Sequence, residues 1–142
     1  MKKKKPIVVA VSGGFDPLHI GHIEMFKAAK ALGDKLIVIL NCDQWLIRKK
    51  GRYFMNQKER AAIVKELKPV DQVYIHRSKK NDVCGALKKI RPDIFGNGGD
   101  RRTKKDIPED KICEELGIKM IFGLGKKIQS SSELVKRYRL NK

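Results

Sequence analysis

The chain has 142 residues, 41% hydrophobic and 35% charged, the length and balance of one soluble globular domain. No apolar run approaches the ~20 residues of a membrane helix, and Cys42, Cys84 and Cys113 are too few and too scattered for a disulfide framework or a Cys-x-x-Cys zinc site. A formal net charge of +17 attracts polyanions, whether nucleic acid, anionic membranes or phosphorylated metabolites, and with only 6% aromatic residues a nucleic-acid binder built on base stacking is disfavoured.

Met1–Lys5 is basic like the start of a signal peptide, but the apolar run behind it is too short for a signal core. It is expected to be a solvated tail of a cytoplasmic protein. Ile7–Val11 then reads as a buried strand. Ser12–His19 is a turn with two glycines and a proline, and Ile20–Leu32 a helix with Ile20, Ile23, Phe26 and Ala29 on one stripe. Gly33 is read as its left-handed terminator. Leu36–Leu40 is a second strand, followed by a short helical turn at Asp43–Ile47 and a basic loop at Arg48–Arg52. Asn56 and Glu59 open a helix as a capping box, and Pro69 follows its end.

Asp71–His76 is the third strand; Asn81 or Asp82 starts a helix to about Ile90, and Asp93–Asn97 is the fourth strand. A polar loop covers Gly98–Ile107. Pro108 fits the first position of the next helix, Glu109 and Asp110 suit its positive end, and Gly117 closes it. Ile118–Leu124 is the fifth strand, and Ser130–Glu133 caps a last helix to about Tyr138. Strand and helix alternate throughout. The expected fold is α/β: a single Rossmann-like doubly wound domain over 1–142, with a mostly parallel five-stranded sheet and helices on both faces. Ligands of such sheets lie beyond the C-terminal strand ends.

The chemistry concentrates in the first of those loops, Gly13-Gly14-Phe15-Asp16-Pro17-Leu18-His19-Ile20-Gly21-His22. Two glycines let the backbone turn and approach a ligand. The helix that follows offers free N–H groups and a positive dipole end, which favour phosphate. His19 and His22 are three apart and share one side of its first turn, with Gly21 leaving room between them. Paired imidazoles there would stabilise charge on a reacting phosphate, and a nearby phosphate would favour their protonated form. A metal pair is the weaker reading, since His76 is the only other histidine and zinc takes three or four ligands.

These residues resemble a known family. His-x-Gly-His after Gly-x-Phe-Asp is the signature of the nucleotidyltransferases related to cytidylyltransferases. The letters also match class I aminoacyl-tRNA synthetases, which are far longer and carry a second lysine-serine motif absent here. The resemblance implies that Lys50 and Arg60 contact the triphosphate or the acceptor's phosphate. It also implies that Gly98, Gly99 and Asp100 lie near base and ribose, and that Ser130, Ser131 and Ser132 hold the outer phosphates. Glycerol-phosphate cytidylyltransferases carry an arginine five residues before that serine run; here the position is Gly125, and Lys126 or Lys127 is the substitute. The Gly98-Gly99-Asp100 pattern, with Ile107-Pro108-Glu109, is closer to heptose-1-phosphate adenylyltransferases, which favours ATP over CTP.

The expected activity is transfer of AMP or CMP from a nucleoside triphosphate, accompanied by Mg²⁺, to a sugar or polyol phosphate, with release of pyrophosphate. His19, His22 and Lys50 are the expected catalytic residues, and a homodimer is expected from the resemblance. His22→Ala is expected to lower turnover at least ~100-fold at little cost in stability. The alternatives are a CTP-dependent glycerol-3-phosphate enzyme, a nucleic-acid-binding module and a non-catalytic nucleotide sensor.

Overall fold

A computed structural model describes residues 5–98, 108–125 and 131–140. Five strands form one parallel sheet: β1 (Val8–Gly13), β2 (Lys35–Asn41), β3 (Gln72–His76), β4 (Ile94–Gly98) and β5 (Lys119–Leu124), in the spatial order β3-β2-β1-β4-β5. Between and after them run α1 (Ile20–Lys30), α2 (Asp43–Lys50), α3 (Gln57–Lys65), α4 (Cys84–Ile90), α5 (Asp110–Leu116) and α6 (Ser131–Leu140). Register is regular from Val8↔Lys35 to Gly13↔Leu40 and from Ile37↔Gln72 to Asn41↔His76; β4 and β5 slip between Gly96 and Gly98. The five expected strands and the doubly wound order are all present.

Each strand is apolar on both faces because each face meets a helical layer. Val9, Val11, Leu36, Val38 and Leu40 point to one side and pack on Phe26 and Ala29 of α1 and Val64 of α3. Ala10, Ile39 and Phe95 point to the other and meet Ala86 and Leu87 of α4 and Cys113 of α5. Strand order reverses at β1: its two neighbours, β2 and β4, are reached by crossovers on opposite faces. That leaves a crevice at the C-terminal ends of β1 and β4, the switch point where ligands bind in this architecture.

Some details differ from expectation. α1 stops at Lys30, and Ile20 is 49% exposed, so the buried stripe begins further along at Phe26. Gly33 lacks a positive φ; a Cβ there would sit 2.7 Å from the Ile7 carbonyl oxygen, so close approach to β1 requires the glycine. α2 runs on to Lys50, so Lys50 ends a helix and does not lie in a loop. Its last turn, Arg48-Lys49-Lys50, sets three cations at the negative end of the helix. α4 begins at Cys84, whose N–H is taken by Asp82 Oδ1 (3.1 Å), and α5 begins at Asp110, behind Pro108 and the cap Glu109. The carboxylate of Glu109 is buried and accepts the Val83 N–H (3.0 Å), which ties the start of α5 to the start of α4.

Candidate active site

The loop from β1 to α1 ends in a pair of interlocked imidazoles. His19 is the N-cap of α1 and His22 its third residue. His19 Nδ1 accepts the Gly21 N–H (3.1 Å), and His22 Nδ1 accepts the His19 N–H (3.2 Å). This is a capping box made from histidines, in which each ring satisfies one backbone donor at the helix start. The rings stack with centroids 3.8 Å apart at 23°. Since both Nδ1 atoms accept, each neutral ring carries its proton on Nε2. The two Nε2–H donors are left without a partner among the described residues.

The pair is neutral when no ligand is bound. Burial, then His19, then the charge of Lys50 push the His22 pKa down to about 3, and burial lowers that of His19. Protonation would also cost each ring its cap bond, because Nδ1 would become a donor facing a donor. In the free protein the pair therefore offers two neutral donors. His22 also bonds the helix start and packs edge-on against Phe15 at 4.9 Å, so His22→Ala removes structural contacts as well as a donor.

Phe15 and Asp16 are structural rather than free for nucleotide. Phe15 holds φ 52°, a left-handed conformation costing roughly 1–2 kcal/mol, with its ring buried against His22 and Phe26. Asp16 is buried, and its two oxygens accept the N–H groups of Phe54 and Met55. Gly13 and Gly14 are not slack: a Cβ would stand 2.8 Å from the Phe15 ring at Gly13, and 2.9 Å from Leu46 and 3.1 Å from Trp45 at Gly14. Their small size lets the chain's own side chains close over the loop.

Arg60 does not reach a ligand face. It is 2% exposed, and its guanidinium bonds Met55 O (2.8 Å), Gly14 O (2.8 Å), Asn41 O (2.7 Å) and Asp43 Oδ1 (2.8 Å). One side chain thus clamps the β1 loop, the end of β2, the start of α2 and the segment before α3. The assignment of Arg60 to phosphate contact is corrected to a positioning role. Its partner Asp43 escaped sequence reading, because nothing in the sequence signals that these two positions meet.

Lys50 is exposed at the end of α2, near enough to His22 to lower that ring's proton affinity. Gly98 ends β4 at the switch point, preceded by Asn97, which is buried with its Nδ2 unpartnered among the described residues. Gly99, Asp100, Lys126, Lys127 and Ser130 lie outside the described residues, and Ser131 and Ser132 are placed only as the first residues of α6. Gly125 has φ 70°, and a Cβ there would lie 3.0 Å from the Met25 backbone of α1. Any side chain at that position would be strained at this φ and would press on the Met25 backbone.

A helix start with free N–H groups, two interlocked imidazoles and a parallel sheet whose strand order reverses at β1 are the features expected of a nucleotide-binding site in this architecture. Comparison with known proteins carries this further. Residues 10–136 match the family model described as cytidylyltransferase-like, and the chain belongs to that family of nucleotidyltransferases. It is 35% identical to an FAD synthase of Thermococcus sibiricus over 96% of this chain and 95% of that one. It is 41% identical to the FAD synthase of Thermococcus kodakarensis over 81% and 80%. The bifunctional protein HldE of Wolinella succinogenes is 34% identical over 92% of this chain and 26% of its own length. Among solved structures, a lipopolysaccharide core biosynthesis protein from Thermoplasma volcanium superposes with a TM-score of 0.72 and 31% identity, covering 88% of this chain and all of that one. The chain is an enzyme of nucleotidyl transfer to a phosphorylated acceptor. Among the described residues no helix is long and apolar enough to cross a membrane.

Proposed function

We propose that this enzyme transfers AMP from ATP to the phosphate of FMN, forming FAD and releasing pyrophosphate. The observation that carries the reaction type is the pair of locked Nε2–H donors at the start of α1. The choice of acceptor is supported by FAD synthase relatives that align with it nearly end to end. It replaces the sugar or polyol phosphate expected from sequence.

In this reading the α-phosphate lies over the N-terminus of α1, where the dipole and the two imidazoles meet it. An FMN phosphate oxygen attacks the α-phosphorus in line; the new P–O bond forms as the bond to the pyrophosphate oxygen breaks. Charge grows on the α-phosphoryl oxygens and the leaving group. Neutral Nε2–H donors, already oriented, stabilise it without reorganising. Lys50 neutralises the outer phosphates, together with the hydroxyls of Ser130–Ser132. Mg²⁺ is assigned to the triphosphate, as part of the substrate; Asp16 and Asp43 are bonded within the protein.

A second reading has support of its own: HldE aligns over 92% of this chain, and the Gly98-Gly99-Asp100 pattern resembles heptose-1-phosphate adenylyltransferases. One assay separates them. ATP and CTP are each offered with FMN, heptose 1-phosphate or glycerol 3-phosphate, and pyrophosphate and the dinucleotide product are measured. ATP with FMN is expected to turn over fastest. A preference for heptose 1-phosphate establishes the second reading, and a preference for CTP overturns the adenylyl assignment.

A further inference from the structure

Nine aromatic residues occur in the chain, and three of them, Trp45, Tyr53 and Phe54, fall within ten positions interleaved with Arg48, Lys49, Lys50 and Arg52. The segment leads from α2 into the loop before α3. Its backbone is held hard against the histidine loop: Phe54 and Met55 give their N–H groups to the buried Asp16, and the Met55 carbonyl accepts from the buried Arg60. Trp45 packs beside Gly14 on the same side. Yet the side chains on this fixed backbone stay out of the core. Phe54 is 64% exposed and Tyr53 42%, while Phe15, the neighbour of Asp16, is buried.

A buried acid and a buried arginine fix this loop, and what it presents is two exposed aromatic side chains, with the exposed Lys50 and Arg52 close by in sequence. Sugar hydroxyls are recognised by fixed polar groups, and residues 52–55 offer only one hydroxyl, on Tyr53. A flat heteroaromatic ring is recognised by stacking, with a cation close by for its phosphate. Resting on the adenylyl-transfer reading above, we infer that Tyr53 and Phe54 form the platform on which the ring of the acceptor stacks, so that this loop selects a phosphorylated flat heterocycle over a sugar phosphate. Asp16 couples the platform to the histidine pair and so fixes the distance from ring to reacting phosphate.

The test is FMN binding followed by flavin fluorescence, with steady-state kinetics, for the unmodified protein, Phe54→Ala, Phe54→Leu and Tyr53→Phe. Phe54→Ala is expected to weaken FMN binding and raise its KM roughly 5- to 100-fold, the range for losing one stacked ring. Phe54→Leu should fall almost as far, since bulk without a π face does not replace stacking. Tyr53→Phe should bind FMN normally, and the KM for ATP should stay within about twofold in all three. Equal FMN binding by Phe54→Ala and the unmodified protein overturns the platform and leaves the acceptor reading standing. Failure of the unmodified protein to bind FMN overturns both. A Phe54→Ala protein whose only change is dissociation of an oligomer, seen by size-exclusion chromatography, also overturns the platform.

Discussion

Histidine at the start of a helix is commonly discussed for the charge it can carry; here the two rings act through their tautomer. Each Nδ1 is occupied by a backbone N–H of the helix they open. His22→Gln keeps an acceptor at the third helical position and so preserves the box. It is expected to lose at least ~100-fold in turnover with little change in Tm, whereas His22→Ala should lose the same activity and about 1 kcal/mol of stability besides. Activity and melting curves of the two variants check this. Acid tells the same story. The folded pKa of His22, about 3, lies below the unfolded value of 6.5, so the unfolded chain takes the proton first. The stability from the neutral ring is complete above pH 6.5 and drains away as pH falls toward 3, with a slope approaching at most ~1.4 kcal/mol per pH unit. The His22→Gln protein should show a flatter Tm profile between pH 6.5 and 4, and parallel profiles would contradict the assignment.

At the scale of elements, the clamp around Arg60 joins four segments far apart in sequence. Arg60→Leu would leave Asp43 and three carbonyls without their donor, with a loss of about 3–5 kcal/mol, the usual result of removing one partner from a buried charge pair. Denaturant unfolding measures it directly; a loss under about 1 kcal/mol would mean that the guanidinium is dispensable. Much of the element pattern was legible from sequence. Apolar runs gave the strands because both faces of a parallel strand are buried, and proline with glycine marked most helix limits. The clamp was not legible, since the resemblance points Arg60 at phosphate and no residue near it in sequence marks it for burial. Gly33 was placed correctly and explained wrongly: the carbonyl of Ile7 that crowds it comes from 26 residues earlier. Local patterns report local geometry, and these positions are set by contacts across the sheet.

The whole molecule carries +17, with its cations spread along most of the chain. Its effect is then a field that draws anionic substrates toward the switch point. The KM for ATP is expected to rise several-fold between 50 and 500 mM salt while kcat holds nearly constant, because screening weakens approach more than a buried hydrogen bond. Steady-state kinetics over a salt series reads this, and a KM indifferent to salt would assign the charge another task. The site as a whole was readable to the extent that it lies on one continuous stretch, His19 to His22. What the acceptor meets depends on where separate loops converge.

The bond from Asp16 to residues 54 and 55 has a consequence for how such an enzyme diversifies. The reacting end and the recognising end share one anchor, and that anchor grips main chain alone. Exchanging the side chains of Tyr53 and Phe54 therefore leaves in place the main-chain bonds that hold this loop against the histidine turn.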